Sequence, residues 1–146
     1  MSANYPAESD DKAAQKVAKS DAAWRAELTR EQYHVLRQHG TERPGTSPLN
    51  REKRKGTYAC AGCGAVLFAS DAKFESGTGW PSFDKPATAH AVSEHDDLSH
   101  LMHRTEVRCA RCDGHLGHVF PDGPRETTGL RYCINGVALR FKPEDG

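Results

Sequence analysis

The sequence predicts a mainly β fold of short antiparallel strands, held by a four-cysteine metal cage and preceded by two short helices. Three observations lead there. After Gly56, runs such as Tyr58-Ala59-Cys60, Ala65-Val66-Leu67-Phe68, Glu106-Val107-Arg108-Cys109, His118-Val119-Phe120 and Arg131-Tyr132-Cys133-Ile134 are separated by Gly, Pro, Asp and Ser, and no helical period persists. Two C-x-x-C units, Cys60–Cys63 and Cys109–Cys112, bracket much of that region. The hydrophobic fraction is only 36% over 146 residues, so the core is small for the length and a metal cross-link would help to hold it.

The elements follow in chain order. Residues 1–20 are rich in Ala, Asp, Lys and Ser with little to bury, and are expected to form a tail or frayed helix ahead of a single domain at 21–146. A helical pattern begins at Asp21, with Trp24 and Leu28 on one face. A second helix is marked by Thr29 as N-cap with Gln32 three residues later, by Tyr33, Leu36 and Arg37 at helical spacing, and by Gly40 as its stop. The stretch 41–54, with two prolines and Gly45, reads as a wrapping loop without strong regular structure. The polar segment His90 to His103 carries four histidines (His90, His95, His100 and His103) and reads as a loop or hairpin rim with no assigned chemistry.

Twenty basic and twenty acidic side chains cancel to a net charge of +0, which argues against electrostatic capture of nucleic acid or membrane. No apolar stretch resembles a signal peptide or a membrane span, so a reducing, cytoplasmic location is expected. There, five cysteines are thiols or metal ligands rather than disulfides. Five is odd, and any paired or fourfold use leaves one over.

Two residues between cysteines let a chain turn back so that both sulfurs reach one ion, and glycine near each turn supplies the left-handed backbone the knuckle needs. Two knuckles close a tetrahedral cage with no open position. The expected occupant is one structural zinc per chain on Cys60, Cys63, Cys109 and Cys112. Iron in the same cage, two disulfides and a redox dithiol are the alternatives. The compartment argues against disulfides, and the lack of a βαβ context argues against a redox pair.

That leaves Cys133. In an extended strand Arg131, Cys133 and Asn135 share one face, with Tyr132 and Ile134 on the other. Arg131 would favour the thiolate, which is the nucleophilic form; Asn135 would orient a substrate or hold a loop. Gly136 reads as a bulge at which the strand turns from polar to core-facing. A buried, inert cysteine is the alternative. His115 and His118, in Gly114-His-Leu-Gly-His-Val-Phe-Pro-Asp-Gly123, suit proton donation near neutral pH. A second metal site with Asp122 and histidines satisfied in loops are the alternatives that the spacing leaves open. Trp80, in Ser76-Gly-Thr-Gly-Trp-Pro-Ser-Phe83, is either an apolar wall for a ligand or a core filler.

Together, the Ser76–Phe83 run, the His115–Asp122 run and Arg131-Tyr-Cys-Ile-Asn135 resemble the B-type methionine sulfoxide reductases, which act on the R epimer. The match extends from about Leu28, through Glu31–Arg37 and Gly40-Thr-Glu-Arg-Pro44, to Phe141. The resemblance implies two antiparallel sheets with N-terminal helices packed outside, and a zinc remote from the active site. It implies that Cys133 attacks the sulfoxide sulfur, that Trp80 holds the substrate methyl, and that His115 and His118 bind and protonate the oxygen. Arg131 and Asn135 would support thiolate and pocket, and Phe120 and Asp122 would shape it. The product on the enzyme would be a Cys133 sulfenic acid.

One position departs from part of the family. Where some members carry a resolving cysteine, this chain has Thr78. With the other four cysteines assigned to zinc, a one-cysteine cycle is expected, closed by thioredoxin or a small thiol. The substrate would be methionine sulfoxide, free or in oxidised proteins. Two rival readings are a zinc-stabilised β module that binds a protein partner and a thiol peroxidase.

Overall fold

A computed structural model describes residues 16–144; most of the expected N-terminal tail therefore lies outside the described residues. Ser20 caps helix α1 (Asp21–Glu27) by accepting from the Ala23 N–H, and Trp24 is buried beneath it. Thr29 caps helix α2 (Arg30–Gln38) through a full capping box with Gln32, and Tyr33, Val35 and Leu36 are buried. The stop differs from expectation: His39, in the left-handed region at φ 57, ends the helix one residue before Gly40. The following loop is irregular except for a single 3-10 turn, Pro48–Arg51.

The strands, all antiparallel, are β1 (Gly56–Cys60), β2 (Val66–Ala69), β3 (Lys73–Phe74), β4 (Ser82–Phe83), β5 (Val92–Asp97), β6 (Arg104–Cys109), β7 (His115–Phe120), β8 (Arg131–Ile134) and β9 (Leu139–Pro143). They form a three-stranded sheet ordered β2-β1-β9 and a six-stranded sheet ordered β3-β4-β8-β7-β6-β5. Aromatic rings from both sheets make the core between them. Phe68 stacks on Phe83 at 4.3 Å between centroids, and Tyr58 meets Phe83 edge-on at 5.0 Å. The helices lie outside this pair, with α2 packed against β7 and the turn after β8. The mainly β reading, with two antiparallel sheets and helices outside, is what the structure has.

The His90–His103 stretch becomes β5 and the tip of its hairpin with β6, where a 3-10 turn (Ser99–Leu101) exposes Leu98, Leu101 and Met102. The Gly136 expectation needs correction. The chain does not bulge and continue; it leaves the six-stranded sheet through a 3-10 turn (Gly136–Ala138) and enters the other sheet as β9. One run of alternation is in fact two strands: Tyr132 and Ile134, at even positions, are buried in β8, while odd positions from Leu139 onward face inward in β9, and the turn is where the phase changes. Among the described residues, no helix is long and apolar enough to cross a membrane.

Candidate active site and metal centre

The four cysteines of the two knuckles converge at one place. Their sulfurs all lie within 4.8 Å of one another, with Cys60–Cys112 at 3.7 Å and Cys63–Cys109 at 3.5 Å. Metal–sulfur bonds of about 2.3 Å in a tetrahedron require sulfurs about 3.8 Å apart, so the cage has the right size for an ion and none of the four is in a disulfide. Without a cation the four cannot all be thiolates. Hydrogen bonding pushes Cys60 and Cys109 up, first through Cys109 and Cys112 respectively, and pulls Cys63 and Cys112 down, in both cases first through Cys109.

The knuckles share one backbone plan. Gly64 N–H donates to the Cys60 carbonyl and Asp113 N–H to that of Cys109. Gly64 is left-handed, as expected, but in the second knuckle Asp113, not Gly114, takes that conformation at φ 62. Aspartate tolerates it because its short polar side chain suits left-handed turns. Gly114 is needed instead for closeness: a β-carbon there would stand 2.9 Å from Leu36 of α2. Arg37 completes the contact by donating to the Cys112 carbonyl at 2.9 Å.

The second constellation is built by strand register. Directly paired residues are His95↔Glu106, Glu106↔His118, His118↔Cys133 and Cys133↔Ser82. Opposed residues in antiparallel strands point to the same face, so one transverse row across five strands carries two imidazoles, an acid, a thiol and a hydroxyl. Two residues along on that face lie the pairs Asp97↔Arg104 and Phe120↔Arg131. The opposite face holds the buried Val107, Tyr132 and Ile134.

His115 and His118 are three residues apart and would face opposite sides of a regular strand. The register explains why they do not. Val107 pairs with Gly117 while Arg108 pairs with His115, so Leu116 is an extra residue that resets the alternation. The imidazoles consequently meet edge-on, 5.6 Å between centroids. Asn135 locks this bulge: its backbone and side-chain amides both donate to the Leu116 carbonyl, each at 2.9 Å. Gly117 is required beside it, because a β-carbon would fall 2.0 Å from the Cys133 carbonyl. Asn135 thus acts on the site by holding backbone.

Each imidazole has a carboxylate partner. His118 Nε2 lies 2.8 Å from Asp97, and His115 Nδ1 lies 2.7 Å from Glu106. Glu106 is buried and also receives Arg108 and His39. Burial lowers the His115 pKa despite this partner, and its Nε2 is buried with no protein partner. Arg131 forks onto Asp122 at 2.9 and 3.1 Å and lies 4.5 Å over the Phe120 ring.

Cys133 is partly exposed, whereas Cys60, Cys109 and Cys112 are buried. Burial raises its pKa, and Arg131 and the Thr78 hydroxyl oppose that without overcoming it. The activating effect expected of Arg131 is therefore present but outweighed by burial of the sulfur. At rest this site holds a thiol that needs a base or a bound ligand to ionise.

Thr78 belongs to a hydroxyl chain, bonding Ser76 at 2.9 Å, which in turn bonds Ser82 at 2.7 Å. Trp80 is half-buried, so it is not a core filler, and its Nε1–H donates to the Glu42 carbonyl at 3.0 Å. Gly79, at φ 94, lets that loop pass Pro44; a β-carbon there would be 2.7 Å from the proline. Glu42 is a hub that sequence reasoning missed. Its N–H donates to Asn135 Oδ1, and its carboxylate accepts from the Gly136 and Val137 N–H groups, all at 2.9 Å. Asp97, Glu106 and His39 were also missed. Only Glu106 had a sequence signal, an acid placed by alternation on a strand whose other face is apolar.

A SelR domain family model matches residues 28–143. A peptide methionine sulfoxide reductase MsrB of Agrobacterium fabrum (strain C58) is 61% identical over 128 residues, covering 88% of this chain and 94% of that protein. The protein of the same name from Bradyrhizobium diazoefficiens is 60% identical over 129 residues, 88% of this chain and 92% of the relative. One from Leptospira interrogans serovar Lai is 58% identical over 129 residues, 88% and 98% respectively.

Proposed function

The chain belongs to the SelR domain family, and from that premise we propose that it reduces methionine R-sulfoxide to methionine with Cys133 as the nucleophile. The observation that carries this reading is the transverse row in which His118 stands directly opposite Cys133, flanked by Glu106 and Ser82. A sulfoxide oxygen leaves only once it is protonated, so a thiol and an acid must meet adjacent atoms of one group. The row supplies that pair on one face.

The Cys133 sulfur attacks the substrate sulfur while His115 and His118 bind and protonate the oxygen. Trp80 receives the methyl group, Arg131 supports the thiolate, and Phe120 and Asp122 hold Arg131. Asn135 fixes the bulge that aligns the histidines. Collapse of the adduct releases methionine and leaves Cys133 as the sulfenic acid. One external thiol then displaces water to form a mixed disulfide, and a second frees Cys133 as a thiol. Thr78 occupies the neighbourhood of Cys133 and contributes no sulfur, which supports a one-cysteine cycle served by thioredoxin or a small thiol. Free methionine sulfoxide and oxidised proteins in the cytoplasm are the substrates, and residues 21–146 act as one domain.

Cys60, Cys63, Cys109 and Cys112 hold zinc. Four sulfur ligands at tetrahedral spacing suit this ion and leave no open position, so its contribution is structural. The test is an assay of each sulfoxide epimer with dithiothreitol and with thioredoxin. Activity confined to the R epimer and lost in Cys133→Ser is expected. Turnover of neither epimer, or an intramolecular disulfide at Cys133 after one turnover, overturns the proposal.

A further inference from the structure

The two imidazole–carboxylate pairs engage opposite ring nitrogens. A carboxylate only accepts hydrogen bonds, so the engaged nitrogen carries the proton. His118 is therefore protonated at Nε2 towards Asp97, and Nδ1 is what it has left for a ligand. His115, protonated at Nδ1 towards Glu106, has Nε2 left. Asp97 is itself fixed in place. Its Oδ1 accepts from the Ser99 N–H at 3.0 Å and the Ser99 hydroxyl at 2.7 Å, and Arg104 approaches Oδ2 at 3.3 Å. The Ser99 bond first, and His118 second, hold its carboxyl well below the usual range, so it stays ionised while it faces the imidazole.

We propose that Asp97 is a positioning residue for sulfoxide reduction, fixing His118 in the Nε2–H form so that Nδ1 serves the sulfoxide oxygen, and steadying the imidazolium that gives up the proton. The inference rests on the reductase reading. In the step, a bond forms between the Cys133 sulfur and the substrate sulfur as the Nδ1 proton passes to the oxygen. Thiolate and imidazolium charges cancel, Asp97 takes no proton, and the adduct divides into methionine and sulfenic acid. Asp97 belongs to β5, two strands from His118 in the sheet order, on the face that the register also gives to His118. A carboxylate placed merely to hold the hairpin would already be satisfied by Ser99 and Arg104.

The charged and titratable groups around His118 are Asp97 from β5, Arg104 and Glu106 from β6, His115 on its own strand, and Arg131 and Cys133 from β8. His39, at the end of α2, lies beyond His115. Among the described residues, Asp97 alone hydrogen-bonds the His118 ring. Removing its charge should therefore weaken the support for the imidazolium that the proton transfer requires. A group that must be protonated to act then loses activity at lower pH.

The experiment compares wild type with Asp97→Asn and Asp97→Glu, using N-acetylmethionine R-sulfoxide in single turnover from pH 5 to 9. Asp97→Asn should be about tenfold to hundredfold slower, part of what a general acid contributes, with half-saturation within about threefold. Its alkaline limb should move about one unit to lower pH, and Asp97→Glu should recover part of both losses. Circular dichroism with urea unfolding reports whether the variants remain folded. Long-range 1H–15N NMR of the wild-type His118 ring, which needs no variant, should show the Nε2–H form. An Asp97→Asn enzyme with wild-type rate and pH profile overturns the role, as does a His118 ring protonated at Nδ1. Wild type inert towards both epimers overturns the reductase reading itself, whatever the NMR gives.

Discussion

Truncating Glu42 should destabilise the protein and loosen the substrate wall at once, because one residue braces both. Glu42→Ala removes the acceptor for two backbone N–H groups, Gly136 and Val137, each now bonded at 2.9 Å. Leaving a buried donor unsatisfied costs about 1–3 kcal/mol, which gives roughly 2–6 kcal/mol for the pair. Two facts favour the lower half. Val137 is only partly buried, and Glu42 also lines a cavity of about 940 Å³ from which water can replace it. An expected loss is therefore about 2–3 kcal/mol, or roughly 6–10 °C in Tm for a domain of this size. Glu42→Gln keeps one acceptor oxygen and should lose about half as much. Trp80 is held by the Glu42 backbone carbonyl rather than its side chain, so the catalytic effect should appear as a raised KM with a smaller change in kcat. Urea unfolding with a constant m-value measures the first quantity and steady-state kinetics the second. If Glu42→Ala unfolds within about 0.5 kcal/mol of wild type, the ordinary spread for surface substitutions, the carboxylate is not bracing the turn and the argument fails.

Three further outcomes are expected. Metal analysis of the purified chain should return about one zinc per molecule, and stripping it with a strong chelator, or making Cys112→Ser, should abolish cooperative unfolding by circular dichroism; a metal-free chain that stays fully folded would refute the cage's role. Leu101 is fully exposed yet left-handed at φ 58, a conformation costing a non-glycine residue about 1–2 kcal/mol; Leu101→Gly should raise stability by about 0.5–1 kcal/mol after the entropy of glycine is subtracted, read as a higher urea midpoint. Asp97 has a folded pKa below its unfolded value, so it binds protons more readily when unfolded; its stabilisation is present above the ordinary carboxylate pKa of about 3.9 and fades as pH falls below that. Acid titration of urea midpoints should show a shallower decline in Asp97→Asn than in wild type.

Much of this protein was legible one residue at a time. The metal cage followed from spacing, because a C-x-x-C turn is a local object and two of them satisfy one tetrahedral ion wherever the chain brings them together. The capping box at Thr29 and Gln32 was equally local, as was the alternation that buries Tyr132 and Ile134 and turns Cys133 the other way. Cys133 itself was found by subtraction. What the linear pattern misjudged were places where the alternation changes phase at a break. The turn at Gly136 moves the chain between sheets, and Leu116 inserts one residue that turns His115 to the face of His118.

By itself the sequence determined the kinds of group available: four sulfurs in two knuckles that can hold a metal, a fifth outside them, and two imidazoles. The tertiary structure alone decided which of them meet. His118 stands opposite Cys133 because β7 and β8 pair in that one register, and its partner Asp97 comes from β5, two strands away in the sheet. Glu106, His39 and Glu42 enter the site from still other segments. Hydrogen-bond partners of this kind depend on sheet order and on a single bulge, and neither leaves a periodic trace in the chain. The same folding also limited Arg131: beside Cys133 it favours the thiolate, but burial of the sulfur decides the balance in favour of the thiol.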